Sequence, residues 1–341
     1  MASRTRGRGE GSIYKRADGR WSARLSNGYR DGRRARVSIY GRTRAEVAAK
    51  LRVALQAHED GVAAAPGRLS LDRFLTTWLE DVARPRLRPR TFLSYSQVIR
   101  AHIVPHLGRV PLRKLSPQHV QRWLNDRSAD GLSPRTCQYA RAILRSALAQ
   151  AVKWGMVARN AAALVDPPRA VQHRIRPLSP SDAKALLAVA ASHRLGPIVT
   201  VALSLGLRQG EVLGLKWEAL DFDAGLLSVR AALQWLPDGW RLVEPKSERS
   251  RRVIALPDVA SKALQRHRVR QLEERMLAGQ RWREHGLVFT TRTGTPIEPS
   301  NLTKTFRALL TKAGVPRVRF HDLRHTAATF LLVQGVDPRT I

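Results

Sequence analysis

Apolar residues recur at helical spacing over much of the chain. Leu71, Phe74, Leu75, Trp78, Leu79 and Val82 share one helical face. Pro85 and Pro89 interrupt that pattern, and a second helix fits residues 91–102. Ser116-Pro117 and Ser133-Pro134 each pair a capping hydroxyl with a proline in the first turn. The later pair opens a long helix through Tyr139, Ile143, Leu144, Ala147, Leu148 and Val152, ending at Gly155. Ser179-Pro180-Ser181-Asp182 starts another helix, and the continuous apolar run 198–205 predicts a buried one. Helices resume near Val259 and Pro299, and a last one follows His321.

Strand-like stretches are short. Residues 12–15, 21–25 and 34–40 read as three strands, punctuated by Asp18-Gly19, Asn27-Gly28 and Asp31-Gly32. Thr43 and Glu46 form a capping box for a helix bearing Val47, Leu51 and Leu55. Residues 226–230, 241–244 and 252–256 read as three further strands. Linkers fall at 64–67 and 166–176. The expected fold class is therefore α+β and multidomain. A small three-stranded sheet with one helix occupies 1–62, an all-α domain 68–157, and a mainly-α domain with a small antiparallel sheet 175–341.

Charge changes the picture. The 341 residues carry 60 Lys and Arg against 27 acids, a formal net charge of +33. The excess is +9 over residues 1–60, +12 over 61–170 and +12 over 171–341. A basic tail on a neutral body is excluded, and an even spread fits a protein that encircles a nucleic-acid duplex. An anionic membrane would call for a basic amphipathic helix or a lipidation site, and neither stands out. The apolar run from Ile198 to Leu207 is about half a membrane span. A single cysteine, Cys137, excludes a disulfide framework and reads as core. The N-terminus lacks the apolar stretch of a signal peptide, so the expected location is cytoplasmic, at the nucleoid.

Arg20, Arg24, Arg33, Arg34 and Arg36 lie on the first sheet. A basic strand pair can enter a DNA major groove, and the alternative is a solvated sheet face. Arg135, at the start of the long helix, joins the expected DNA-binding set. An RNA-binding reading is weaker, because no aromatic stacking platform is evident.

Two motifs carry chemistry: Leu205-Gly206-Leu207-Arg208-Gln209-Gly210-Glu211 and His321-Asp322-Leu323-Arg324-His325. In them the chain resembles the tyrosine recombinases, the phage integrases in particular. The resemblance covers an arm-type DNA-binding domain, a helical core-binding domain with His102-Ile103-Val104-Pro105-His106-Leu107-Gly108, and most of a catalytic domain. It implies metal-free breakage of a DNA phosphodiester by a tyrosine nucleophile, with no cofactor. Negative charge gathers on the non-bridging oxygens of the transition state, and two permanently charged guanidinium forks suit it. The resemblance assigns that role to Arg208 and Arg324. It makes His321 an acid/base or phosphate donor, and Lys246 the proton donor to the leaving 5′ oxygen. Arg249, Arg251 or Arg252 could replace Lys246 under a different hairpin register. Glu211 orients Arg208 or its helix.

Rival readings are weaker. His321 and His325 have the spacing of a helical zinc pair, but Arg324 would sit beside the cation and no third ligand is signalled. No carboxylate trio signals a metal-dependent transposase. The five tyrosines are Tyr14, Tyr29, Tyr40, Tyr95 and Tyr139, none of them after residue 170. The resemblance implies a Leu-Gly-His block and a tyrosine beyond Arg324. Instead the sequence ends Asp337-Pro338-Arg339-Thr340-Ile341, a helix start with no helix. It therefore reads as a C-terminally truncated integrase, or a decayed one that only binds DNA. The implied partners are double-stranded attachment sites, a homotetramer on DNA and accessory DNA-bending proteins.

Overall fold

The computed structural model describes residues 12–30, 33–59, 69–170, 176–244 and 251–335, with only the backbone of residues 12, 25–30, 33–37, 53 and 56–59. The chain divides into two compact units, Met1–Gln172 and His173–Ile341.

The first unit opens with an antiparallel sheet of β1 (Ser12–Lys15), β2 (Trp21–Arg30) and β3 (Arg33–Gly41), in that order. β2 runs past the expected end at residue 25, and Asn27-Gly28 is not a turn. A register shift between Ser26 and Tyr29 absorbs that dipeptide as a strand irregularity. Helix α1 (Arg44–Glu59) follows. The Glu46 amide donates to Thr43 Oγ1 (3.2 Å), while the Glu46 carboxylate accepts from the Arg42 amide (2.8 Å). The box thus closes one residue earlier than expected. Val47 and Leu51 pack with Ala23, Ile13, Trp21 and Ile39 into a small core.

A larger helical core lies between residues 69 and 170. Helix α2 (Leu71–Trp78) passes through a π-turn (Leu79–Ala83) into α3 (Arg84–Arg86). Pro85 is tolerated because it falls in the first turn of α3, and Pro89 begins α4 (Pro89–Val98). A second π-turn (Ile99–Ile103) leads to α5 (Val104–Leu107), so the helix expected at 91–102 is longer at both ends. α6 (Pro117–Ala129) and α7 (Pro134–Lys153) start as expected, with Ser116 Oγ accepting from His119 N and Ser133 Oγ from Thr136 N. α7 buries Cys137, Ile143, Leu144, Ala147 and Leu148, while Val152 is exposed. Trp123 Nε1 donates to the His102 carbonyl (2.8 Å), tying α6 to the second π-turn.

In the second unit α8 (Pro180–Ala191) carries a full capping box between Ser179 and Asp182. α9 (Gly196–Leu205) is buried nearly all round and packs against α8. It ends at Gly206 in the left-handed conformation, and α10 (Gln209–Leu213) follows within one turn. β4 (Leu220–Asp221), β5 (Leu226–Val229) and a later strand, β8 (Arg252–Ala255), form one antiparallel sheet. The expected strand at 241–244 is β7 (Gly239–Val243), and it pairs with β6 (Ala232–Leu236) in a separate hairpin. α11 (Asp258–Ala278) and α12 (Pro299–Lys312) complete the scaffold with α13 (Asp322–Val333). α11 and α13 both pack on α9. Asp337 and Pro338 lie outside the described residues.

Candidate active site

The site grows from the end of α9. An apolar helix needs a stop, and Gly206 supplies it with φ 60° and ψ 28°. Leu207 is buried beyond it, which pins the chain, and Arg208 becomes the extended N-cap of α10. α10 then lies flat on the β6 backbone. A Cβ at Gly210 would come within 3.1 Å of the Leu233 carbonyl oxygen, and one at Gly214 within 2.7 Å of the Leu233 nitrogen. At Gly214 that approach leaves no room for a Cβ beside backbone, and at Gly210 one would be tight.

Glu211, on the first turn of α10, is 5% exposed. Its carboxylate accepts from the Arg208 amide (2.9 Å) and from Arg208 Nη1 (2.9 Å). It also accepts from Arg252 Nη2 (2.9 Å) and Nη1 (3.3 Å) on β8. Burial alone would raise the Glu211 carboxyl, but the bonds from Arg252 and Arg208 outweigh it and hold it below the usual carboxylate range. Arg208 keeps a half-exposed side chain.

α13 delivers the other motif. Arg319 grips the Asp322 carboxylate through its amide (2.8 Å), Nε and Nη2, which fixes the first turn of the helix. Thr326 accepts from the Leu178 amide (3.1 Å). Arg324 reaches back and donates from Nη1 to the Gly206 carbonyl oxygen at 2.5 Å. Burial and the like charges of Arg208 and Arg252 push Arg324 below its ordinary value, although a guanidinium stays protonated in any case. His321 sits at the N-cap of α13, edge to face with His325 at 5.6 Å between ring centroids. Partial burial, His325 and Arg324 lower its basicity, so its neutral form is favoured. No group of three or more His, Cys, Asp or Glu suited to a metal occurs among the described residues.

Arg208, Arg324 and His321 are thus held on the two elements that meet at Gly206. Lys246 lies outside the described residues, as do the side chains of Arg33, Arg34 and Arg36. Arg24 is exposed on β2 with its guanidinium 5.6 Å over the Tyr14 ring, and Arg135 is exposed in the first turn of α7. Arg252 was expected only as a substitute for Lys246. It binds Glu211, a pairing across 41 positions that no local pattern signals.

Arg208 caps α10 two residues after Gly206, and Arg324 of α13 donates to the Gly206 carbonyl, so both arginines are placed at the same turn of the chain. Residues 176–341 match the phage integrase family, and residues 70–127 match the N-terminal SAM-like domain of phage integrases. The chain belongs to this family, the tyrosine recombinases. It is 32% identical to an integrase of Streptomyces ambofaciens over 98% of this chain and 88% of that protein. It is 31% identical to a XerC-like tyrosine recombinase of Caldanaerobacter subterraneus over 91% of this chain and 84% of that protein. Its fold is shared with the Tn1549 transposon integrase solved with transposon right-end DNA (TM-score 0.70, 20% identity, 80% of this chain and 89% of that one). It is also shared with the lambda integrase tetramer bound to a Holliday junction (TM-score 0.59, 18% identity, 95% of this chain and 92% of that one). Among the described residues no helix is long and apolar enough to cross a membrane.

Proposed function

We propose that the second unit addresses the scissile phosphate of a DNA attachment site through Arg208 and Arg324. The observation that carries this reading is their convergence at Gly206, with Arg208 half exposed and Glu211 already shared with a second arginine. His321 acts as the acid/base or phosphate donor, favoured neutral at physiological pH. Lys246 is the proton donor to the leaving 5′ oxygen. In relatives that carry the nucleophile, a tyrosine oxygen bonds to phosphorus as the bond to the 5′ oxygen breaks and that oxygen takes a proton. The 3′-phosphotyrosine keeps the bond energy, so no metal, nucleotide or other cofactor enters the step.

Residues 1–62 serve as an arm-type DNA-binding domain through Arg24, Arg33, Arg34 and Arg36. Residues 68–157 serve as the core-binding domain, with Arg135 on DNA, and 175–341 as the catalytic domain. A homotetramer on paired sites, helped by DNA-bending proteins, is the working assembly, located at the nucleoid.

The polypeptide of residues 1–341 has no tyrosine after Tyr139, so it binds site DNA without cleaving it. A nicked suicide duplex carrying the attachment site tests this. The expected result is a retarded complex that dissociates in detergent. A covalent protein–DNA adduct would overturn it.

A further inference from the structure

The Glu211–Arg252 pair has a use that reaches beyond holding β8 to α10. A buried carboxylate facing Arg208 alone would neutralise it. It would turn the fork inward and compete with any phosphate for its donors. Here Glu211 is 5% exposed and accepts twice from Arg252, at 2.9 and 3.3 Å, but only once from the Arg208 side chain, at 2.9 Å. Arg252 is itself three-quarters buried, whereas Arg208 keeps half its side chain in solvent.

We propose that Arg252 is a positioning residue that neutralises Glu211, so that Arg208 is oriented by this carboxylate without being consumed by it. The three arginines and one carboxylate leave a net charge of about +2, matched to the two negative charges of a phosphodiester displacement transition state. Arg252 does not touch the phosphate. Its effect runs through Glu211 to the exposure and direction of the Arg208 fork. It differs from a conventional structural ion pair in one respect. Removing Arg252 harms Arg208 only while Glu211 keeps its charge.

This inference builds on the reading of Arg208 as a phosphate ligand, but its test does not use DNA. Phenylglyoxal condenses with accessible guanidinium groups, and peptide mapping reads each arginine separately. In the intact 341-residue chain, Arg208 labels readily. In Arg252→Met, Glu211 draws in a second Arg208 donor and labelling of Arg208 falls roughly ten-fold, the factor one charge-assisted hydrogen bond supplies. In Arg252→Met/Glu211→Gln labelling returns, because the competing charge is gone. Exposed Arg307 on α12 is the internal reference and stays constant. Unchanged or faster labelling of Arg208 in Arg252→Met, at constant Arg307, would overturn the proposal. If the methionine variant loses its far-UV circular dichroism, Arg252→Gln decides alone. It keeps a hydrogen-bond donor but loses the charge, and a fall in Arg208 labelling is expected. No fall with glutamine would overturn the proposal. Confirmed labelling with a failed DNA-cleavage assay in nucleophile-bearing chains would sink the phosphate reading and leave the positioning intact.

Discussion

Arg324 donates to the carbonyl oxygen of Gly206 across 118 positions of sequence. That single bond joins the two chemical motifs of the chain. It depends on the left-handed cap, because a helix that continued past Leu205 would use that carbonyl internally. A Cβ at Gly206 would meet Ala327 Cβ at 3.5 Å, an ordinary contact. Gly206→Ala is therefore opposed by backbone conformation and not by crowding. The cost is about 1–2 kcal/mol. Each kcal/mol lowers the Tm by roughly 2–4 °C for a unit of this size. Differential scanning calorimetry checks it, and an unchanged Tm would remove the cap from the account.

Gly214 is constrained differently. Its backbone is ordinary, with φ −96° and ψ 4°, yet a Cβ would stand 2.7 Å from the Leu233 nitrogen and 3.1 Å from the Ala232 carbonyl carbon. Backbone atoms of β6 cannot swing aside as a side chain can. Gly214→Ala should cost about 1–3 kcal/mol, as overpacking does. Gly210→Ala, whose nearest atom lies at 3.1 Å, should cost less. Urea melts of the two variants give the order, and a reversed order would mean that α10 lifts off β6 freely.

How much of this was legible depended on how local each cause is. Ser116, Ser133 and Ser179 announced helix starts because a cap acts within three residues, and all three accept the expected amide. Arg208 and Glu211 were legible as a local pair because they interact within one turn, and His321 and Arg324 through the resemblance of their motif, whereas the Arg319–Asp322 pair beside it carried no signal of its own. The partnership of Glu211 with Arg252 was not, since it depends on which strands pair. Pairing was the weak point. Residues 226–230, 241–244 and 252–256 read as the strands of one small antiparallel sheet, but β6, rich in partly buried residues and lacking clean alternation, goes unsignalled and takes β7 as its hairpin partner. The π-turns at 79–83 and 99–103 were invisible too, because one extra residue shifts the phase of the apolar face without changing its composition.

His267 gives the second unit a pH dependence. It is 2% exposed, stacked on Trp217 and tilted against Phe289. Its Nε2 bonds the Val288 carbonyl (2.8 Å), and its Nδ1 is buried without a hydrogen-bond partner. Burial lowers its basicity most; Arg194 and Arg270 add to that, while the Val288 bond and Glu274 oppose it. With a folded pKa below the unfolded one, the unfolded chain binds the extra proton. Stability is then fully present above about pH 6.5 and falls as the pH drops through that range toward the folded value. The urea midpoint should decline between about pH 7.5 and 5.5. His267→Gln, which retains a donor for Val288, should flatten the decline. His193 and His321 shift the same way, so some slope remains. An equal slope in the variant would place the effect elsewhere.

The last prediction separates charge from geometry at Arg208. In a chain supplied with a nucleophilic tyrosine after residue 341, Arg208→Lys preserves the charge and removes the planar fork. If charge alone stabilised the transition state, adduct formation would survive. The Glu211 carboxylate changes that expectation. A lysine ammonium would be held by the buried carboxylate as a point charge, with no second nitrogen left to meet the phosphate. Adduct formation on a suicide substrate should therefore fall by about 10²–10³, the loss typical of one oxyanion donor. DNA affinity should barely move, because one contact among 60 basic residues is at stake and its charge is kept. The salt dependence of binding should also be unchanged, whereas Arg208→Ala should reduce the slope by about one unit. Lysine and alanine variants that lose binding and cleavage in equal proportion would show that Arg208 is a DNA anchor and not part of the chemistry.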